Sequence, residues 1–183
     1  MTVLLQDVID EIDLIDDPNA RKQPLPDDAL IAKYEQAIGF TFPDDYKLLL
    51  KTVSNAFVGY ISPFTLNEQL LEEYGDLRVG VDEGRKVGVP QDWLPICEDN
   101  GDYYCIAPDG SVRFWDHNGS SSESWSTLAV WAKEVWLEVN LHHAHLKKRY
   151  KNLNSARRKN PSIARIKCVT VFRGRSVINL PSR

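Results

Sequence analysis

The chain reads as an α+β domain, and three observations predict this. Over residues 3–53, apolar side chains recur at three- and four-residue intervals, the period of amphipathic helices. Between Leu94 and Trp115, short runs rich in β-branched and aromatic residues are broken by turn residues, as short strands are. From Leu128 onward the helical spacing returns.

The first helix spans Val3–Ile15, with Leu4, Val8, Ile12 and Ile15 on one face and Asp10, Glu11 and Asp13 between them. Asp16-Asp17-Pro18-Asn19 ends it, and residues 16–26 read as a loop. A second helix covers Pro26–Ile38. Pro26 suits its first turn, Asp27 and Asp28 sit at the positive end of its dipole, and Gly39 suits the position just past its end. A third helix starts at Pro43-Asp44-Asp45-Tyr46 by the same chemistry, carries Tyr46, Leu49, Leu50 and Val53 on one face, and stops near Ser54-Asn55.

The period then shortens, so Phe57–Ile61 and Phe64–Leu66 are expected to be strands split by Ser62-Pro63. Asn67–Tyr74 reads as a short helix capped by Asn67. Residues 75–91 hold four glycines and a proline and support no assignment. Leu94–His117 reads as three strands and two turns. The first turn is an acidic loop, Glu98-Asp99-Asn100-Gly101-Asp102, and the second centres on Pro108-Asp109-Gly110. After the polar loop Ser120-Ser121-Ser122, Ser124 or Ser126 is expected to cap a long helix. Leu128, Trp131, Val135 and Val139 share its face, and it runs through His142 toward Tyr150. Lys151–Pro161 reads as a polar linker. Ile163–Phe172 is β-like and can form a hairpin with Val177–Leu180 through Arg173-Gly174-Arg175.

The 183 residues suit one domain with an extension, and 43% hydrophobic content is enough for a core. No apolar run approaches the roughly 18 residues of a membrane span. The N-terminus has no basic segment before its apolar residues and so does not read as a signal peptide. Cys97, Cys105 and Cys168 are odd in number and lack C-x-x-C spacing, which fits reduced thiols in the cytoplasm. The net charge of −4 conceals a division: residues 1–140 hold 26 acids and 10 cations (−16), whereas residues 147–183 hold 12 cations and no acid (+12). Such asymmetry points to electrostatic partnering.

No catalytic set emerges. Asp116-His117 could be half of an acid–base pair, yet no serine or cysteine is placed as its nucleophile, and a solvent-facing strand end is the expectation. The acidic loop lacks the D-x-[DN]-x-[DN]-G spacing and distal glutamate of a calcium loop. His142 and His145 share a helix face without the H-E-x-x-H pattern. Neither a functional metal nor a cofactor is expected. Trp93, Trp115, Trp125, Trp131 and Trp136 are expected mainly in the core, with one or two at a binding surface. The basic tail carries no RNA-binding signature. It is expected to dock on its own acidic domain or on a second copy, building a homodimer, rather than on nucleic acid.

Three segments resemble the SUKH superfamily, the Smi/Knr-like domain. Gly39-Phe-Thr-Phe-Pro-Asp-Asp-Tyr-Lys, followed by Asn55, is similar to the family's glycine, proline and D-Y-K helix leading to an asparagine turn. Leu94-Pro-Ile with Gly101-Asp102-Tyr103-Tyr104 resembles its hairpin, and Gly110-x-Val112 with Trp115-Asp116-His117 and Ser126–Trp131 resembles its closing strand and helix. Ala56 stands where the family usually has glycine, and Asn100 stands where it commonly has the first of two glycines.

The resemblance covers about residues 24–140. It implies a twisted antiparallel sheet backed by helices in a domain at 24–146, flanked by an N-terminal helix and loop at 1–23 and a basic extension at 147–183. It also implies a non-catalytic, protein-binding role. Bacterial members are understood as immunity proteins that bind and neutralise a cognate toxin, often a nuclease, and fungal relatives act as interaction scaffolds in cell-wall signalling. An acidic surface suits the basic cleft of a nuclease. On this reading the partner-binding residues are Glu98, Asp99, Asp102, Tyr103, Trp115 and Asp116.

Overall fold

In the computed structural model, residues 2–16, 22–58, 61–67, 75–119 and 121–138 are described. Residues 68–74 of the helix expected over 67–74, the His142–His145 cluster and the whole 147–183 extension with its hairpin lie outside them. The described residues form five α-helices and a four-stranded antiparallel sheet of order β1-β2-β3-β4.

The first three helices follow the apolar periodicity. α1 (Leu5–Ile15) buries Leu5, Val8, Ile9 and Ile12. α2 (Asp28–Ile38) is capped by Asp27, whose side chain accepts from the Leu30 N–H at 2.8 Å, so Pro26 precedes the cap instead of opening the first turn. α3 (Asp44–Val53) buries Tyr46, Leu49, Leu50 and Val53. α1, set apart from the 24–146 segment on sequence, contributes Val8, Ile9 and Ile12 to the same hydrophobic core as α3 and the sheet.

The strands expected at 57–61 and 64–66 are not formed among the described residues. Only isolated bridges occur there, Pro63 to Cys97 and Thr65 to Asp76. Proline at 63 has no N–H to donate, which limits the pairing that this segment can offer the β1 edge.

The unassigned 75–91 region contains α4 (Leu77–Val87), capped by Asp76. Its glycines mask a helix because they serve packing. A Cβ on Gly80 would stand 2.3 Å from the Phe64 ring, and one on Gly84 would stand 3.2 Å from Pro95 of the sheet. Small residues let the helix approach its neighbours closely, at a cost in helix propensity of about 1 kcal/mol each.

β1 (Leu94–Asp99), β2 (Asp102–Ile106) and β3 (Val112–Trp115) form the expected meander, and β4 (Ser124–Trp125) adds a short edge that the sequence did not suggest. The acidic loop is not a loop. Glu98 and Asp99 belong to β1 and Asp102 to β2, leaving only Asn100-Gly101 as the connection. Both adopt positive φ, 57° and 88°, the conformation of a two-residue hairpin whose twist matches the strands.

The register places Tyr104 opposite Phe114 and Val112 opposite Trp125 on one face of the sheet. There the Tyr104 ring meets Phe114, Trp125 and Trp131 at centroid distances of 4.9, 5.6 and 5.7 Å. Tyr103 and Pro95 face the other way, toward α4.

α5 (Leu128–Trp131) is capped by Thr127, not by Ser124 or Ser126. The Thr127 hydroxyl accepts from the Val130 N–H, and Ser124 lies in β4. Instead of a continuing α-helix, a π-helical segment runs over Ala132–Glu138. Its wider turn, closed by bonds between residues five apart, brings such positions toward a common face. Trp131 with Trp136, and Ala132 with Leu137, are accordingly all buried. Lys133 of this segment pairs with Glu11 of α1 at 2.5 Å.

Candidate functional site

Antiparallel pairing gathers the six sequence-selected residues at one end of the sheet. Asp99 pairs with Asp102, Glu98 with Tyr103, and Tyr103 with Trp115, so the end of β1, the start of β2 and the end of β3 adjoin. They divide by burial into a floor and a rim, while strand alternation sets Glu98, Tyr103 and Trp115 on the α4 face of the sheet and Asp99, Asp102 and Asp116 on the other.

Asp99 and Tyr103 make the floor, with relative exposures of 7% and 6%. Asp99 accepts from the Asn100 amide at 2.8 Å, inside the turn. The Tyr103 ring lies against Trp115, with centroids 6.1 Å apart, and forms an aromatic cross-strand pair. Burial, followed by the nearby charges of Glu98 and Glu83, pushes its hydroxyl pKa up, so Tyr103 stays a neutral packing residue.

Glu98, Trp115, Asp102 and Asp116 make the rim. Glu98 Oε1 accepts from the Gly101 N–H at 2.5 Å, which closes the turn. Trp115 is half-buried beside the end of α4, where an added Cβ on Gly88 would lie 3.8 Å from its ring. The Asp102 and Asp116 side chains are 16% and 17% exposed, so each presents part of its carboxylate to solvent.

His117 joins them. Its Nδ1 lies 2.5 Å from Asp102 Oδ1 and 3.9 Å from Asp116 Oδ1, and its side chain is 55% exposed. The hydrogen bond to Asp102, reinforced by the charge of both carboxylates, holds the imidazole pKa above its ordinary value and favours the imidazolium. The Asp116 carboxylate accepts from the Asn118 backbone and side-chain amides at 2.7 and 3.0 Å, which locks the turn after β3.

Sequence adjacency paired His117 with Asp116, whereas the hydrogen bond runs to Asp102, fifteen residues earlier. The missing signal was register. Reading Asn100-Gly101 as a two-residue turn pairs Asp99 with Asp102 and brings Asp102 beside the end of β3. Glu83, which acts electrostatically on Tyr103, belongs to the unassigned α4 and had no signal at all.

The rim offers carboxylates, an imidazole and an indole edge, groups that bind cations and aromatic or basic side chains. Among the described residues, His117 makes its hydrogen bonds to Asp102 and Asn118, not to a hydroxyl or thiol nucleophile. Cys97 and Cys105 lie in the core, with burial raising both thiol pKa values, so neither is activated as a nucleophile. No helix among the described residues is long and apolar enough to cross a membrane.

A crystal structure of a protein from Pseudomonas syringae pv. tomato superposes with a TM-score of 0.67 at 31% sequence identity, covering 73% of this chain and 98% of that one. Comparison with curated proteins gives no match. A family model described as SUKH_5, SMI1-KNR4 cell-wall, matches residues 5–137, from α1 through the π-helical segment. The chain therefore belongs to the SMI1-KNR4 family of the SUKH superfamily.

Proposed function

We propose that this protein works without catalysis, as an immunity-type domain that binds a cognate bacterial toxin through the rim at the end of its sheet. Family membership supports a role in protein–protein interaction. The observation that carries the finer reading is the gathering of Glu98, Asp102, Asp116 and the half-buried Trp115 at one end of the sheet, in a body with a charge of −16. Tryptophan is enriched among the few residues that carry most of the energy of a protein interface. The acidic sign of this end of the sheet suits a basic partner, such as a nuclease that holds phosphates with lysine and arginine, and would speed encounter with it. Such binding would occur in the cytoplasm.

The test is a pull-down and affinity measurement with the toxin domain encoded beside this gene. Saturable binding that weakens in Trp115→Ala and in Asp102→Asn/Asp116→Asn supports the proposal. Absence of binding by any neighbouring product contradicts it and favours a Smi/Knr-type interaction scaffold. In that alternative the 147–183 extension serves as a docking arm between two copies, and sedimentation of the full chain against a 1–146 truncation would detect the lost dimer.

A further inference from the structure

We propose that Asp102, Asp116 and His117 form a binding site for a divalent transition metal of the zinc class. This inference is independent of the protein-binding reading. One ligand atom from each residue lies within 4.8 Å of the others. The Nδ1 of His117 lies 2.5 Å from Asp102 Oδ1 and 3.9 Å from Asp116 Oδ1. Ligands at about 2.0–2.2 Å around a tetrahedral zinc stand roughly 3.4 Å apart, so these separations bracket what the ion needs.

The donor set selects the ion. An all-oxygen group of acids suits magnesium or calcium, whereas an imidazole nitrogen beside two carboxylates suits zinc, cobalt or nickel. On binding, the ion replaces the proton shared between His117 Nδ1 and Asp102, and that proton leaves to solvent. Two carboxylates and a neutral imidazole carry −2, which the divalent ion cancels.

The surroundings already orient the ligands. The Asn118 amides hold Asp116, and the His117 backbone N–H donates to Asp102 at 3.2 Å. The Asn118 side-chain amide lies 3.2 Å from His117 Nε2. The three protein ligands leave a coordination position for water or for a partner's side chain.

The test is calorimetric titration of zinc chloride alone into the full chain. His142, His143 and His145 are replaced by Ala, so that the second histidine cluster cannot contribute. One zinc per chain, retained in excess magnesium and lost in His117→Ala, supports the site, as does a thermal midpoint that rises with zinc only when His117 is present. His117 is exposed, so the folded spectrum of the variant is expected to be unchanged. Loss of all zinc binding on removing the His142–His145 cluster, displacement of zinc by magnesium, or unaltered binding in His117→Ala would each overturn the proposal.

Discussion

Asp76 and Asp102 are both aspartates at the beginning of a secondary-structure element, and their surroundings give them opposite uses. Asp76 caps α4 at 1% exposure. It accepts from the Tyr34 hydroxyl, from the Arg78 backbone at 2.8 Å, and from the Arg78 guanidinium at 3.1 and 3.2 Å. Tyr34 itself accepts from the Asn67 N–H at 2.9 Å, and Arg78 lies 4.3 Å over its ring. One carboxylate thereby ties α2, the 65–67 segment and α4 together, and its own hydrogen-bonding capacity is consumed. The Asp102 carboxylate meets the backbone N–H and ring of His117 and keeps part of its surface in solvent. A saturated buried acid holds the fold, whereas a partly exposed acid with capacity to spare can meet a partner.

The contrast is broken most severely at Asp76. Asp76→Ala leaves Tyr34 and Arg78 facing a buried void, and a loss of roughly 3–5 kcal/mol is expected in denaturant unfolding. A loss below about 1 kcal/mol would mean that the network is not a structural tie. Gly80→Ala comes next. Its Cβ would fall 2.3 Å from the Phe64 ring, and overpacking of this kind costs about 1–3 kcal/mol. Because alanine otherwise favours a helix, a stabilised variant would contradict the close approach.

Tyr34 gives the comparison a pH dependence. Burial, then its hydrogen bond to Asp76, pushes the Tyr34 pKa up to about 12. Its stabilising share is complete below the ordinary tyrosine value near 10 and is lost as pH rises from there through the folded value. Tyr34→Phe is expected to be less stable near neutrality and to lose less of its remaining stability across that alkaline window. An unchanged alkaline slope would show that the hydroxyl does not hold its proton as described. The smallest effect is at the rim: Asp102→Asn/Asp116→Asn should change stability by no more than about 0.5 kcal/mol per site, since both side chains reach solvent.

How much of this was legible in the sequence follows from where the information resides. α1, α2 and α3 were readable because their apolar faces repeat at helical spacing, and β1–β3 because turn residues punctuate short apolar runs. α4 was not, since Gly80 and Gly84 answer to Phe64 and Pro95, contacts that local sequence does not display. The acidic residues at the sheet end were found by type. Their division into floor and rim depends on strand register, and the Asp102–His117 bond depends on a pairing between strands that adjacency could not suggest. The π-helical segment likewise reflects the demand to bury Trp131 and Trp136 together, a tertiary requirement.

In the proposed function the rim meets the partner, and the Asp76 network holds the fold that presents it. The most direct measurement is the affinity of the full chain for the toxin domain encoded beside its gene, compared between wild type and the Trp115→Ala/Asp102→Asn/Asp116→Asn variant. The account predicts an intact fold with binding weakened by two or more powers of ten, about 3 kcal/mol or more, and steeper salt dependence in the wild type. Equal affinity for the two proteins, with folding intact in both, would contradict it.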